Sequence, residues 1–215
     1  MKTPWKITLG ATALALALSG CAGAPAQTTA PEASASETAA ASSEPTATSS
    51  ETVVGIQEME VGDSGPQKAG DYLVVSAVYF QAVDLEQGSM AMPAAADSDM
   101  HFEIDVKTTD AAKDIGLEAD QFLPYLKITP KLTEKTTGKV VELGTLMPMI
   151  ASDGPHYGNN ISLDPGTYTV ELTIQSPADD FMLHTGKDSS GVKGRFWSDP
   201  LKVTFDNFEW DGQLL

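Results

Sequence analysis

The chain contains three histidines, and each stands in a pattern that could bind a metal ion or exchange a proton. His101 and Glu103 form an H-x-E pair in "DMHFEIDV". On a strand the period of two puts both on one face, about 7 Å apart along the backbone, so imidazole and carboxylate can converge on one ion or share a hydrogen bond. Met147 and Met149 repeat that spacing in "MPMIASDGPHYGNN", and His156 follows across the turn-forming "SDGP". A strand, a turn and a return would bring a thioether and an imidazole together. A second methionine pair, Met90 and Met92, lies in "GSMAMP" just before the H-x-E. His184 sits in the Gly/Ser-rich "MLHTGKDSSGVKGRFW" (182–197), which reads as a long loop; loops on rigid scaffolds commonly carry binding residues. Each feature alone has an ordinary reading: a surface pair, methionine as adaptable core filler, a solvated loop histidine. Imidazole and thioether without thiolate suit copper, and an added carboxylate suits Cu(II), Fe(II), Mn(II) or Zn(II).

Catalytic chemistry has less to stand on. There is no G-x-S-x-G elbow, Walker motif or Gly-rich dinucleotide fingerprint, and nothing singles out a carboxylate pair for glycoside hydrolysis. No catalytic residue is assigned.

These residues must be positioned by strands. Runs rich in Val, Ile, Thr, Tyr and Phe recur at 71–83, 101–108, 124–132, 139–149, 166–175 and 200–210, bounded by turn signals. Only 111–122 suggests a short helix. The spacing predicts an all-β fold, an Ig-like antiparallel β-sandwich. "LDPGTYTVELTI" (163–174) places Asp164 and Gly166 in a turn before Tyr168, in the manner of a tyrosine corner.

The N-terminal segment has a different character. Lys2 and Lys6 precede an apolar run from Ile7 to Leu18 and then "LSGC", the pattern of a lipoprotein signal peptide over 1–20 with Cys21 as the lipidated residue. The run is shorter than the roughly 20 residues of a membrane-spanning helix. Residues 21–52 comprise that cysteine and an Ala/Ser/Thr/Pro/Glu linker without aromatics, which predicts a disordered tether holding the domain of 53–215 roughly 30 Å from the membrane. The expected location is the outer face of the cytoplasmic membrane. Cys21 is the only cysteine, so the domain has no intrachain disulfide and no thiolate metal site. The formal charge of −17, two units more negative once Lys2 and Lys6 leave with the signal, disfavours nucleic acid and anionic lipid as partners and suits cations.

Taken together, "VYFQAVDLE" (78–86), "GSMAMPAAADSDMHFEIDV" (88–106), "FLPYLKITPKLTEKTTGK" (122–139), "MPMIASDGPHYGNNI" (147–161) and "HTGKDSSGVKGRFW" (184–197) resemble, in order, the bacterial periplasmic high-affinity iron-transport proteins. The resemblance spans about Val53 to Gly212. It implies a homodimeric, copper-binding Ig-like domain that serves a membrane iron permease of the Ftr type, with iron as the transported metal. It places metal ligands on His101, Glu103, Met149, His156 and His184, with Met90 as an accessory. The chain departs from the family pattern where Met182, Leu183 and Lys107 replace additional histidines, and where Phe196 and Trp197 replace a tandem tryptophan pair. Redox assistance to iron transport is the one reactive role that the resemblance leaves open. Two other readings compete with iron uptake: a copper-homeostasis binding protein, and a non-metal Ig-like surface interaction module.

Overall fold

The computed structural model describes residues 57–86, 92–187 and 190–214. The signal segment, Cys21, the 21–52 linker and Met90 lie outside them.

Among the described residues, ten strands form two antiparallel sheets. They are β1 (Met59–Glu60), β2 (Gln67–Ala69), β3 (Leu73–Phe80), β4 (Met100–Thr108), β5 (Lys127–Glu134), β6 (Val140–Glu142), β7 (Met147–Ile150), β8 (Pro155–Ile161), β9 (Gly166–Gln175) and β10 (Leu201–Trp210). One sheet runs β1-β3-β4-β8-β7, with β2 also paired to β3; the other runs β10-β9-β5-β6.

Alternation explains how the sheets pack. Leu73, Val75, Ala77 and Tyr79 of β3 and Met100, Phe102, Ile104 and Val106 of β4 point inward. They meet Ile128 and Leu132 of β5 and Tyr168, Val170, Leu172 and Ile174 of β9 in one core. Each Val, Leu, Ile, Phe or Met among them contributes about 1.5–3 kcal/mol through burial. In β10 the inward set changes parity, from Val203 and Phe205 to Phe208 and Trp210. A β-bulge between Phe205 and Phe208 absorbs the extra residue, with Asn207 at φ 60°, a left-handed conformation that Asn tolerates better than most residues.

Two expected elements need correction. The run 139–149 is not one strand. Its first part, β6, pairs in the β5 sheet, whereas β7 belongs to the opposite sheet; the chain crosses between them at 143–146, using Gly144 at φ 71° and burying Leu146. The helix expected over 111–122 is a single 3-10 stretch, Asp110–Ile115, ended by Gly116 at φ 83°. Tyr168 donates its hydroxyl hydrogen to Asp164 O at 2.7 Å, the contact that its position after the turn predicted.

Candidate metal centre

Strand register brings the chemistry together on the outer face of the β3-β4-β8-β7 sheet, the face turned away from the core. Three rows run across it. In the first, Phe80 of β3, His101 of β4 and Asn160 of β8 are neighbours. In the second, Val78, Glu103, Gly158 and Met147 line up. At the third level Met149 of β7 faces His156 of β8, and Asp105 follows Glu103 on the same face of β4. Directly opposed side chains on antiparallel strands share a face at close range. The turn 151–154 between β7 and β8 therefore returns the chain so that Met149 and His156 stand side by side.

The outer face of a sheet is ordinarily solvated, yet His101 is 0%, Glu103 2% and His156 3% exposed. Val83 and Pro93, between β3 and β4, bond through their backbone to Asn160, the β8 neighbour of His101. The rings of Phe80 and His101 lie 5.1 Å apart, and those of His101 and His156 are edge to face at 5.8 Å. His156 Nδ1 lies 3.3 Å from Glu103 Oε1. His101, Glu103 and His156 each offer a ligand atom within 4.8 Å of the others.

Two observations show that this cluster fits a metal. Among the described residues, His101 Nε2 and His156 Nε2 are two of three buried side-chain atoms without a hydrogen-bond partner, Asn159 Oδ1 being the third. Buried polar atoms are ordinarily satisfied, because an unpaired one costs about 1–3 kcal/mol. The second observation is steric: a Cβ on Gly158 would stand 2.5 Å from His101 Nε2 and 2.9 Å from its Cε1. Glycine here leaves the space toward which that nitrogen points.

Burial also sets protonation. Desolvation pushes both His101 and His156 below the usual imidazole range, which favours the neutral, ligating form. Glu103 is pushed up to about 8, first by burial and then by the charges of Asp105, Glu58 and Asp153. A cation would replace that proton.

Beside the cluster opens a cavity of about 420 Å³, lined by the carboxylates of Glu58, Glu103, Asp105, Asp120 and Asp153, with His156 at one wall and Lys107 as its one basic side chain. Glu58, Glu103 and Asp153 bring one oxygen each within 4.8 Å of one another. Glu103 thus belongs to two ligand groups, one containing imidazoles and one made of carboxylates alone.

The residues expected from sequence divide accordingly. His101, Glu103 and His156 come together, and Met149 stands across the strand pair from His156. His184 does not join them in its own chain: it is exposed in the β9–β10 loop, with Nδ1 2.9 Å from Ser190 Oγ. Glu58, Asp153, Gly158 and Asn160 were not singled out. The period of two counted forward from His156 carries a signal for Gly158 and Asn160; nothing local marks Glu58.

The sequence profile of the Fe2+ transport protein family matches residues 55–212. The chain belongs to that family. It is 38% identical over 164 residues to the 34 kDa membrane antigen of Treponema pallidum (strain Nichols), covering 74% of this chain and 76% of that one. The solved structure of FetP from uropathogenic Escherichia coli strain F11 superposes with a TM-score of 0.64 at 35% identity, over 73% of this chain and 98% of FetP. The copper-reconstituted P19 protein from Campylobacter jejuni gives 0.62 at 32% identity, over 71% and 98%. As an Fe2+ transport protein, the chain carries a His/Glu metal-coordinating cluster in a family whose solved members include copper-bound forms.

Proposed function

We propose that this is an extracytoplasmic, lipid-anchored metal-binding protein of high-affinity iron uptake, working with an Ftr-type membrane iron permease. The observation that carries this reading is the pair of buried, unpartnered imidazole nitrogens beside a carboxylate in an Fe2+ transport protein. His101, Glu103, Met149 and His156 are assigned as copper ligands, a donor set that mixes imidazole and thioether with one carboxylate and contains no thiolate. Copper so held supplies one-electron exchange. Around it the chain's own groups have separable tasks: the strands hold the imidazoles neutral, Glu103 surrenders its proton on binding, and Glu58 with Asp153 adds oxygen donors suited to iron as cargo. The remaining acids around the cavity raise the local cation concentration.

Finer assignments follow from the same reading. The two-sheet fold is taken as Ig-like, supported by the tyrosine-corner contact from Tyr168. A homodimer is supported by Ile150, 84% exposed on the edge strand β7 next to Met149, and by Met182, 88% exposed near His184. His184 is kept as a further metal residue apart from the cluster, and Met90 in an accessory ligand role. Residues 1–20 are taken as the signal, Cys21 as the anchor, 21–52 as the tether and 53–215 as the metal-binding domain.

Cells expressing the chain with its permease separate the iron reading from copper homeostasis. His156→Ala should abolish growth under iron starvation while leaving tolerance of excess copper unchanged. The reverse pattern would assign the protein to copper handling.

A further inference from the structure

We propose that Asn160 is a positioning residue that locks His101 in its Nδ1–H tautomer and so presents an unprotonated Nε2 to the metal site. The inference rests on the metal-binding reading for its purpose, but its geometry is independent of any ion.

The assignment follows by elimination around one buried amide. Asn160 is 1% exposed, so its amide must find partners within the protein. One end faces two backbone carbonyls, Val83 O at 2.8 Å and Pro93 O at 3.0 Å. Carbonyl oxygens only accept, so that end is the NH2 group and its two hydrogens are both used. The other end is therefore Oδ1. It accepts from the backbone N–H of Val83 at 3.2 Å and lies 3.0 Å from His101 Nδ1. An amide oxygen cannot donate, so Nδ1 must carry the hydrogen. Neutral imidazole has one N–H, and Nε2 is left with its lone pair.

The opposite tautomer fails twice. It would set two acceptors against each other at the Asn160 contact, and it would bury an Nε2–H that has no acceptor. On its other flank His101 meets the ring of Phe80, which offers no competing hydrogen bond to Nδ1. Flipping the amide is blocked because Val83 O and Pro93 O cannot donate. The backbone thus dictates the amide orientation, the amide dictates the tautomer, and the tautomer dictates which nitrogen is free. Outer groups that orient a ligating histidine commonly affect metal affinity roughly 10–100-fold.

The test reads the tautomer directly by nitrogen-15 NMR of the imidazoles in the metal-free full chain at about pH 8, where histidine is neutral, together with Cu(II) affinity by competition. Wild type should show a protonated Nδ1 and a bare Nε2 at His101. Asn160→Ala should release His101 toward Nε2–H and weaken Cu(II) binding roughly 10–100-fold, with the backbone amide spectrum otherwise retained. Asn160→Asp keeps an acceptor for Nδ1 but replaces both amide donors with an oxygen facing Val83 O and Pro93 O; it should restore the Nδ1–H tautomer and part of the affinity. An Nε2–H signal in wild type, or an unchanged tautomer in Asn160→Ala, would overturn the proposal. So would an Asp variant that keeps the tautomer yet binds as weakly as Ala, because the effect would then belong to anchorage of Val83 and Pro93. If wild type shows the Nδ1–H tautomer and binds no metal, the positioning claim stands and the metal-binding reading fails.

Discussion

From Met100 to Ile104 strand β4 is buried on both faces, and the two faces are buried among different partners. On the inner face Met100, Phe102, Ile104 and Val106 meet apolar side chains of the opposite sheet, and their burial is favourable in itself. On the outer face His101 and Glu103 are equally removed from water, and the cluster they form with His156 leaves two ring nitrogens unpartnered. Burying polar groups without partners is unfavourable. The inner face therefore holds the fold, while the outer face is sustained by the fold and leaves two imidazole nitrogens free to bind a cation. A strand that places stability on one side and chemistry on the other should allow the two to be damaged separately.

Phe102→Ala should give the largest effect on stability, about 3–5 kcal/mol by denaturant titration, because it removes a ring with no exposed surface from the core. The folded fraction should keep metal affinity. A loss of affinity in fully folded molecules would break the division between faces.

Gly158→Ala should do the reverse. A methyl 2.5 Å from His101 Nε2 must displace the ring, weakening metal binding roughly 10–100-fold while costing only about 1–3 kcal/mol of stability. An affinity equal to wild type would show that His101 Nε2 is not aimed at the ion.

A pair of glutamates sharpens the contrast further. Glu134, at the end of β5, accepts from the backbone N–H groups of Thr136 and Thr137 and from the Thr137 hydroxyl, and is held down to about 2. Glu103 is buried among acids, with His156 Nδ1 3.3 Å from its Oε1, and is pushed up to about 8, first by burial and then by Asp105, Glu58 and Asp153. The folded metal-free protein therefore keeps a proton on Glu103 that the unfolded chain gives up near 4.5. Its contribution to stability is fully present below about 4.5 and is lost as pH rises through about 8. Glu103→Gln mimics the protonated form permanently. Its stability relative to wild type should rise by about 1–3 kcal/mol between about pH 5 and about pH 9, measured without metal. A difference that stays flat with pH would mean that Glu103 ionises normally in the fold.

Much of this arrangement was legible in the sequence, for physical reasons. Alternation revealed β4, β5, β9 and β10, because one face of each packs against the core. The spacing H-x-E is sufficient for His101 and Glu103 to share a face, and the "SDGP" turn sufficient to return His156 beside Met149. What was not legible depended on distant parts of the chain. The break between β6 and β7 is marked locally by Gly144 alone, since both ends remain strand-like and the crossing to the other sheet is not visible in the pattern. Glu58 precedes β1 and reaches the cavity only because β1 pairs with β3, two strands from β8. The amide beside His101 is held by Val83 and Pro93, nearly eighty and seventy residues from the Asn160 they bind.

The most direct test of the central claim is a competition titration of the purified chain with Cu(II), Cu(I), Fe(II) and Mn(II), repeated on a Met149→Ala, His156→Ala double variant. The outer-face site predicts tight copper binding in wild type and a loss of at least about 100-fold, near 2.7 kcal/mol, in the variant, with the fold intact. Copper affinity that is weak in wild type, or the same in both proteins, would contradict it.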